Sequence, residues 1–96
     1  MTVSVHVFES GKRTEERIFE GKKIEDVVDL LNKDGIDFRS DKGPEEASEI
    51  SENNKSKLIY LDNMNLLDVE GVANFYSEYL LEYDDEVYRK IMSILN

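Results

Sequence analysis

The chain has 96 residues, with 22 acids against 12 bases, a formal charge of −10, no cysteine and one histidine. That balance excludes disulfide scaffolds, cysteine nucleophiles and Cys- or His-cluster metal sites, and it opposes direct binding to DNA or RNA, where Lys and Arg neutralise phosphates. Hydrophobic residues make up 40%, enough for one modest core, and no apolar run approaches the roughly 20 residues of a membrane span.

In chain order, Val3, Val5 and Val7 alternate with Ser4, His6 and Phe8, the period of a half-buried strand. Glu9-Ser10-Gly11-Lys12 supplies turn chemistry, and a second strand is expected over about Thr14–Glu20, closing a hairpin. The opening MTVSVHVFESGKR has no basic start ahead of a long apolar stretch, so no secretory signal is read and a cytoplasmic location is expected. Ile24, Val27, Val28 and Leu31 then fall at i, i+3, i+4 and i+7, which predicts an amphipathic helix with Glu25 and Asp26 in its first turn and Gly35 as its stop. Ile36 and Phe38 begin a short extended segment.

Residues 39–57 (RSDKGPEEASEISENNKSK) are almost empty of apolar side chains and read as a mobile acidic loop, with at most one helical turn started by Pro44. Leu58–Leu61 reads as a buried strand ending in an Asp62-Asn63 turn. Asn65 or Asp68 is expected to cap a helix running to about Tyr83, with Val69, Val72, Ala73, Phe75, Tyr76, Tyr79, Leu80 and Tyr83 on one side and Glu70, Asn74, Glu78 and Glu82 opposite. Asp84 caps a last helix over Asp85–Leu95, with Val87, Tyr88, Ile91, Ile94 and Leu95 inward. The expected fold class is α+β, order β-β-α-β-α-α, one domain over 1–96, with a small antiparallel sheet packed against helices on one side.

The charge is segregated along this order. Residues 1–23 hold four acids and five bases, whereas residues 24–96 hold 18 acids and seven bases, and Leu58–Tyr88 contains eight acids and no base. Carboxylates spaced by four on a helix stand about 6 Å apart along its axis. A row of this kind competes for a cleft built to hold phosphates, because long-range attraction depends on charge layout. Holding like charges together costs some tenths of a kcal/mol per pair. The bland counterpart is an ordinary solvated face of an acidic domain.

Four of the five tyrosines (Tyr76, Tyr79, Tyr83, Tyr88) fall within thirteen residues. Core packing suits the first three, which share the inward face. Leu81 falls among the carboxylates and is a candidate contact point. No catalytic constellation is legible. Asp84-Asp85-Glu86 are adjacent and point apart on a helix, Asp62-Asn63-Met64-Asn65 lacks the order of a calcium loop, and His6 has no Cys, Ser or acid beside it in sequence. The reading is therefore not an enzyme, with no cofactor and no metal.

Tyr83-Asp84-Asp85-Glu86-Val87-Tyr88, followed by Ile91 and Met92, resembles the antirestriction motif of ArdA-type proteins: tyrosine, glycine, two acids, then apolar helix positions. Tyr83, Asp85, Glu86 and Val87 match by type, and Asp84 stands where that family has glycine. Asp68–Phe75 looks like the acidic helix that precedes the motif. Glu82–Glu86 is also similar to small phage anti-CRISPR proteins, which occupy the DNA-recognition cleft of an RNA-guided nuclease, where a few Arg side chains read duplex DNA. Both resemblances imply an acidic DNA mimic of phage or mobile-element origin, acting in a bacterial host cell on a basic nucleic-acid-binding protein such as a nuclease. The partner-binding candidates are Glu70, Glu78, Leu81, Glu82, Tyr83, Asp84, Asp85 and Glu86. Two other classes share parts of this pattern: an immunity protein against a basic toxin nuclease, and a regulatory or assembly module, homodimeric through Leu81, Tyr88 and Met92.

Overall fold

A computed structural model describes residues 2–40, 42–64 and 77–96. The elements are β1 (Thr2–Glu9), β2 (Lys12–Glu20), α1 (Ile24–Lys33), β3 (Phe38–Ser40), α2 (Pro44–Asn54), β4 (Lys57–Met64), β5 (Ser77–Glu82) and α3 (Asp85–Leu95). The strands form one sheet in the order β2-β1-β4-β5-β3, every neighbouring pair antiparallel. The fold is α+β, with five strands described.

The β1–β2 hairpin turns through Ser10 (φ 49°) and Gly11 (φ 88°), two successive positive-φ residues between the paired Glu9 and Lys12. This two-residue turn has the hand that matches strand twist. β2 is an outer strand. The register breaks between Val7 and Phe8, and the strand carries Lys12, Arg13, Glu15, Glu16 and Arg17. A bulge and mixed charges blunt an edge against further pairing.

Helices cover both faces of the sheet, which corrects the expectation of helices on one side. Val3, Val5, Ile59, Leu61 and Leu81 point to one face, where they pack with Ile24, Val27 and Leu31 of α1 and Ile91, Met92 and Leu95 of α3. Phe8, Leu58, Tyr60 and Leu80 point to the other, where Ala47 and Ile50 of α2 cover them. Successive strand residues alternate between these two clusters, as the pleat requires.

Two further expectations are overturned. Residues 44–54 form a helix rather than a mobile loop. Pro44 sits in its first turn with Glu45 and Glu46, and Lys55 ends it in the left-handed conformation (φ 50°). Its docking is largely polar. The buried Ser51 Oγ accepts from Gly11 N–H (2.9 Å) and donates to Ser48 C=O (2.9 Å), while Ser48 Oγ donates to Gly11 C=O (2.8 Å). Residues 77–82 form a strand rather than the end of a helix. Leu80 and Leu81 are both buried, on opposite faces, because both faces are covered. The rest of the expected helix, with Asn65, Asp68, Val69, Glu70, Val72, Ala73, Asn74, Phe75 and Tyr76, lies outside the described residues.

Gly11 carries two constraints, its positive φ and its contact with α2, where an added Cβ would stand 2.9 Å from Glu52 Cβ. Gly11→Ala is expected to lower stability by about 1–3 kcal/mol, read as a shifted urea midpoint with an unchanged slope.

Candidate functional site

The C-terminal candidates separate into structural and solvent-facing groups. Asp84 is the N-cap of α3, its Oδ1 accepting from the N–H groups of Glu86 (2.9 Å) and Val87 (3.2 Å). An N-cap must leave the helical conformation while accepting those bonds, so a short carboxylate serves where the resembled motif has glycine. Asp85 accepts from the Tyr83 hydroxyl (2.8 Å). That bond, then desolvation, raises the Tyr83 phenol above its ordinary value. Lys57 Nζ lies 3.8 Å from the centre of the Tyr83 ring, a cation–π contact, and the Tyr83 and Tyr88 rings are 5.5 Å apart. Tyr88 donates to Glu15 of β2, and burial followed by that bond pushes its hydroxyl up to about 12. Glu86 pairs with Lys90 (3.6 Å), which also holds Asp34 (2.8 Å).

Leu81 is 2% exposed and belongs to the core, so its reading as an exposed contact is corrected. On the wheel it falls among carboxylates; on the strand it points to the α1/α3 face. Glu78 and Glu82 do not form a helical row. They share the opposite face of β5 with Leu80, four residues apart on a strand. Glu70 lies outside the described residues.

Two carboxylate features were not read from the sequence. The first is on α2. Glu45, Glu49 and Glu52, at i, i+4 and i+7, are exposed on the side away from Ala47, Ile50 and Ser51. They span about 10 Å of helix axis. The helix contains no base, and among the described residues none of the three is ion-paired; Glu46 alone pairs, with Lys42 (3.3 Å). Pro44-Glu45-Glu46 was the one available signal. The second is the cross-strand pair Asp62↔Glu78. Like charges directly opposite are unfavourable. Burial, then the Glu78 charge, raises the Asp62 carboxyl above its ordinary value of 3.8, and Asp62 Oδ1 is buried without a hydrogen bond. His6, on the same face and 8% exposed, is lowered by burial.

An open cleft of about 630 Å³ lies at the sheet end where β5 meets α3. Leu58, Leu80 and Leu81 form its buried floor, and the exposed Asp37, Glu82 and Asp84 line it together with Arg39. It joins Glu82 and Asp84, both sequence candidates, to Asp37, which was not one. Among the described residues no group of three His, Cys, Asp or Glu side chains is arranged to hold a metal ion, and no helix is long and apolar enough to cross a membrane.

No family model, curated protein or solved structure matches the chain.

Two outcomes follow from these contacts. Asp84→Ala should cost about 1 kcal/mol through the lost cap, seen as a lowered melting temperature, with Glu86→Ala close to neutral. Asp62 binds its proton more tightly folded than unfolded, so its contribution to stability falls as pH rises from 3.8 through the higher folded value. Asp62→Asn should therefore be more stable than the parent at neutral pH, and the difference should close as pH falls below 3.8, where the parent carboxyl becomes neutral in both states. Urea midpoints measured across that range check the sign.

Proposed function

We propose that this chain is a non-enzymatic acidic inhibitor that occupies the cationic nucleic-acid-binding surface of a partner protein, most plainly a bacterial nuclease. The observation that carries the reading is the unneutralised row Glu45, Glu49 and Glu52 on the exposed side of α2. Glu78 and Glu82 project from the sheet face that α2 packs on, so they extend the same side of the molecule. Some carboxylates elsewhere are drawn into pairs, Glu15 with Arg17 (2.8 Å), Glu16 with Arg13 (3.4 Å) and Asp34 with Lys90 (2.8 Å), whereas Glu25, Asp26 and Asp29 of α1 are also exposed without an ion pair among the described residues. A surface that only needs solvation mixes its signs; α2 itself carries acids and no base. A row of carboxylates spaced along a helix presents to Lys and Arg side chains what a phosphate backbone presents, single negative charges at regular intervals.

The α2 row replaces the helical row expected over residues 70–82 and carries the same charge logic. Its charges are exposed, so they act on encounter: reversing them slows association and weakens the salt dependence of binding.

The test is capture of partners from a bacterial lysate by the immobilised chain at low salt, followed by elution with duplex DNA and, separately, with a salt gradient. Nucleic-acid-binding proteins displaced by DNA and lost by Glu45→Lys/Glu49→Lys/Glu52→Lys are expected. Partners that withstand both DNA and salt, or that bind the triple variant as well as the parent, would count against mimicry and favour an assembly module.

A further inference from the structure

The β3–β5 ladder stops at a telling place. Its pairs are Ser40↔Tyr79, Arg39↔Leu80 and Phe38↔Leu81. The next pair in that register would set Asp37 opposite Glu82, and β3 ends before it, although β5 continues through Glu82 against Leu58 of β4. Directly opposed residues of an antiparallel pair stand about 5 Å apart at Cβ, and like charges there are unfavourable. The ladder ends at these two carboxylates, and both line the cleft together with the buried Leu58 and Leu80.

We infer that this cleft receives one arginine side chain of the partner, its guanidinium between Asp37 and Glu82 and its aliphatic stem on the apolar floor. The inference rests on the inhibitor reading and names the anchor within it. Charge complementarity selects the occupant: Asp37, Glu82 and Asp84 line the cleft against a single cation, Arg39, which forms no ion pair among the described residues. Asp84 has one oxygen committed to the α3 cap, so Asp37 and Glu82 are the carboxylates left to bind. Neither makes an ion pair with a described residue. Arginine fits better than lysine for two reasons. Its planar fork can bridge two carboxylates at once, and its stem lies on apolar surface while the head stays at the polar rim. A neutral or acidic group would leave the two like charges opposed.

The experiment uses the intact chain, isotopically labelled, titrated with the blocked tripeptide Ac-Gly-Arg-Gly-NH2 and with its citrulline counterpart. Citrulline keeps the shape of arginine and lacks its charge. Saturable amide shifts at Ile36–Arg39, Ser56 and Glu82–Val87 are expected with arginine, with binding at least about tenfold weaker for citrulline. Asp37→Asn/Glu82→Gln, its fold checked by the unchanged remainder of the spectrum, should weaken the arginine peptide by a similar factor, and Arg39→Gln should tighten it several-fold. Equal binding of the citrulline peptide by the parent chain overturns the inference whatever the variants do, as do shifts confined to the outer side of α2. The two readings fail separately. DNA-displaceable capture of a partner that survives Asp37→Asn/Glu82→Gln and is lost with the α2 triple variant keeps mimicry and removes the anchor. Capture that DNA does not displace removes mimicry itself.

Discussion

The run Leu58-Ile59-Tyr60-Leu61 on β4 joins the two halves of the molecule. Ile59 and Leu61 enter the cluster built with α1 and α3, while Leu58 and Tyr60 enter the cluster under α2. β4 also lies between β1 and β5, so both hairpin and C-terminal segments take their register from it. With this strand buried on both sides, the pleat alone decides where each side chain of its neighbours goes. Leu81 goes into the core and Glu82 to the cleft because they are adjacent on a strand with two covered faces.

This two-sided burial also explains what the sequence did and did not show. Elements with one buried stripe were legible. α1 announces itself by Ile24, Val27 and Leu31, and α3 by Asp84 followed by Val87, Ile91 and Leu95; both occur at the expected places. The β1–β2 hairpin showed through the alternation of Val3, Val5 and Val7 and the turn at Gly11, although β1 is buried on both faces, Ser4, His6 and Phe8 included, and not half-buried as that alternation suggests. β5 was misread because a strand buried on both faces has no period-2 alternation, and Tyr79, Leu80 and Tyr83 also satisfy a helical period. α2 was misread for the opposite reason. It offers only Ala47 and Ile50 as apolar content and docks through Ser48 and Ser51 onto the Gly11 backbone. Hydropathy cannot register a helix held by hydroxyl-to-backbone bonds.

The candidate site shows the same division. Asp84-Asp85-Glu86 is conspicuous as an acidic triplet, yet a helix start accounts for it: a cap, a tyrosine partner and a dipole-favoured first-turn acid that also reaches Lys90. The carboxylates without such duties are less conspicuous. Glu45, Glu49 and Glu52 are dispersed in a polar stretch, and Asp37 and Glu82 are 45 positions apart, brought together only by the Phe38↔Leu81 pairing. Sequence proximity and spatial proximity of charge therefore point to different residues, and spatial proximity is what a partner meets.

The carboxylates of β5 connect stability with the proposed role. Glu78 is opposed by Asp62 at one end of the strand, and Glu82 falls beside the register position of Asp37 at the other. The first arrangement disfavours the charged Asp62 carboxylate, which burial and then the Glu78 charge raise above its ordinary value. On the proposed reading, a cationic partner would remove that repulsion on binding, so that differential stability between free and bound chain would add to the direct attraction of opposite charges. Surface ion pairs contribute little when both ions are well solvated beforehand. A carboxylate already destabilised by a like neighbour starts from a higher free energy and gains more from the same cation. Glu45, Glu49 and Glu52 of α2 and Glu78 and Glu82 of β5 stand without an ion pair among the described residues, so on the proposed reading that gain would fall on the side of the molecule that α2 covers.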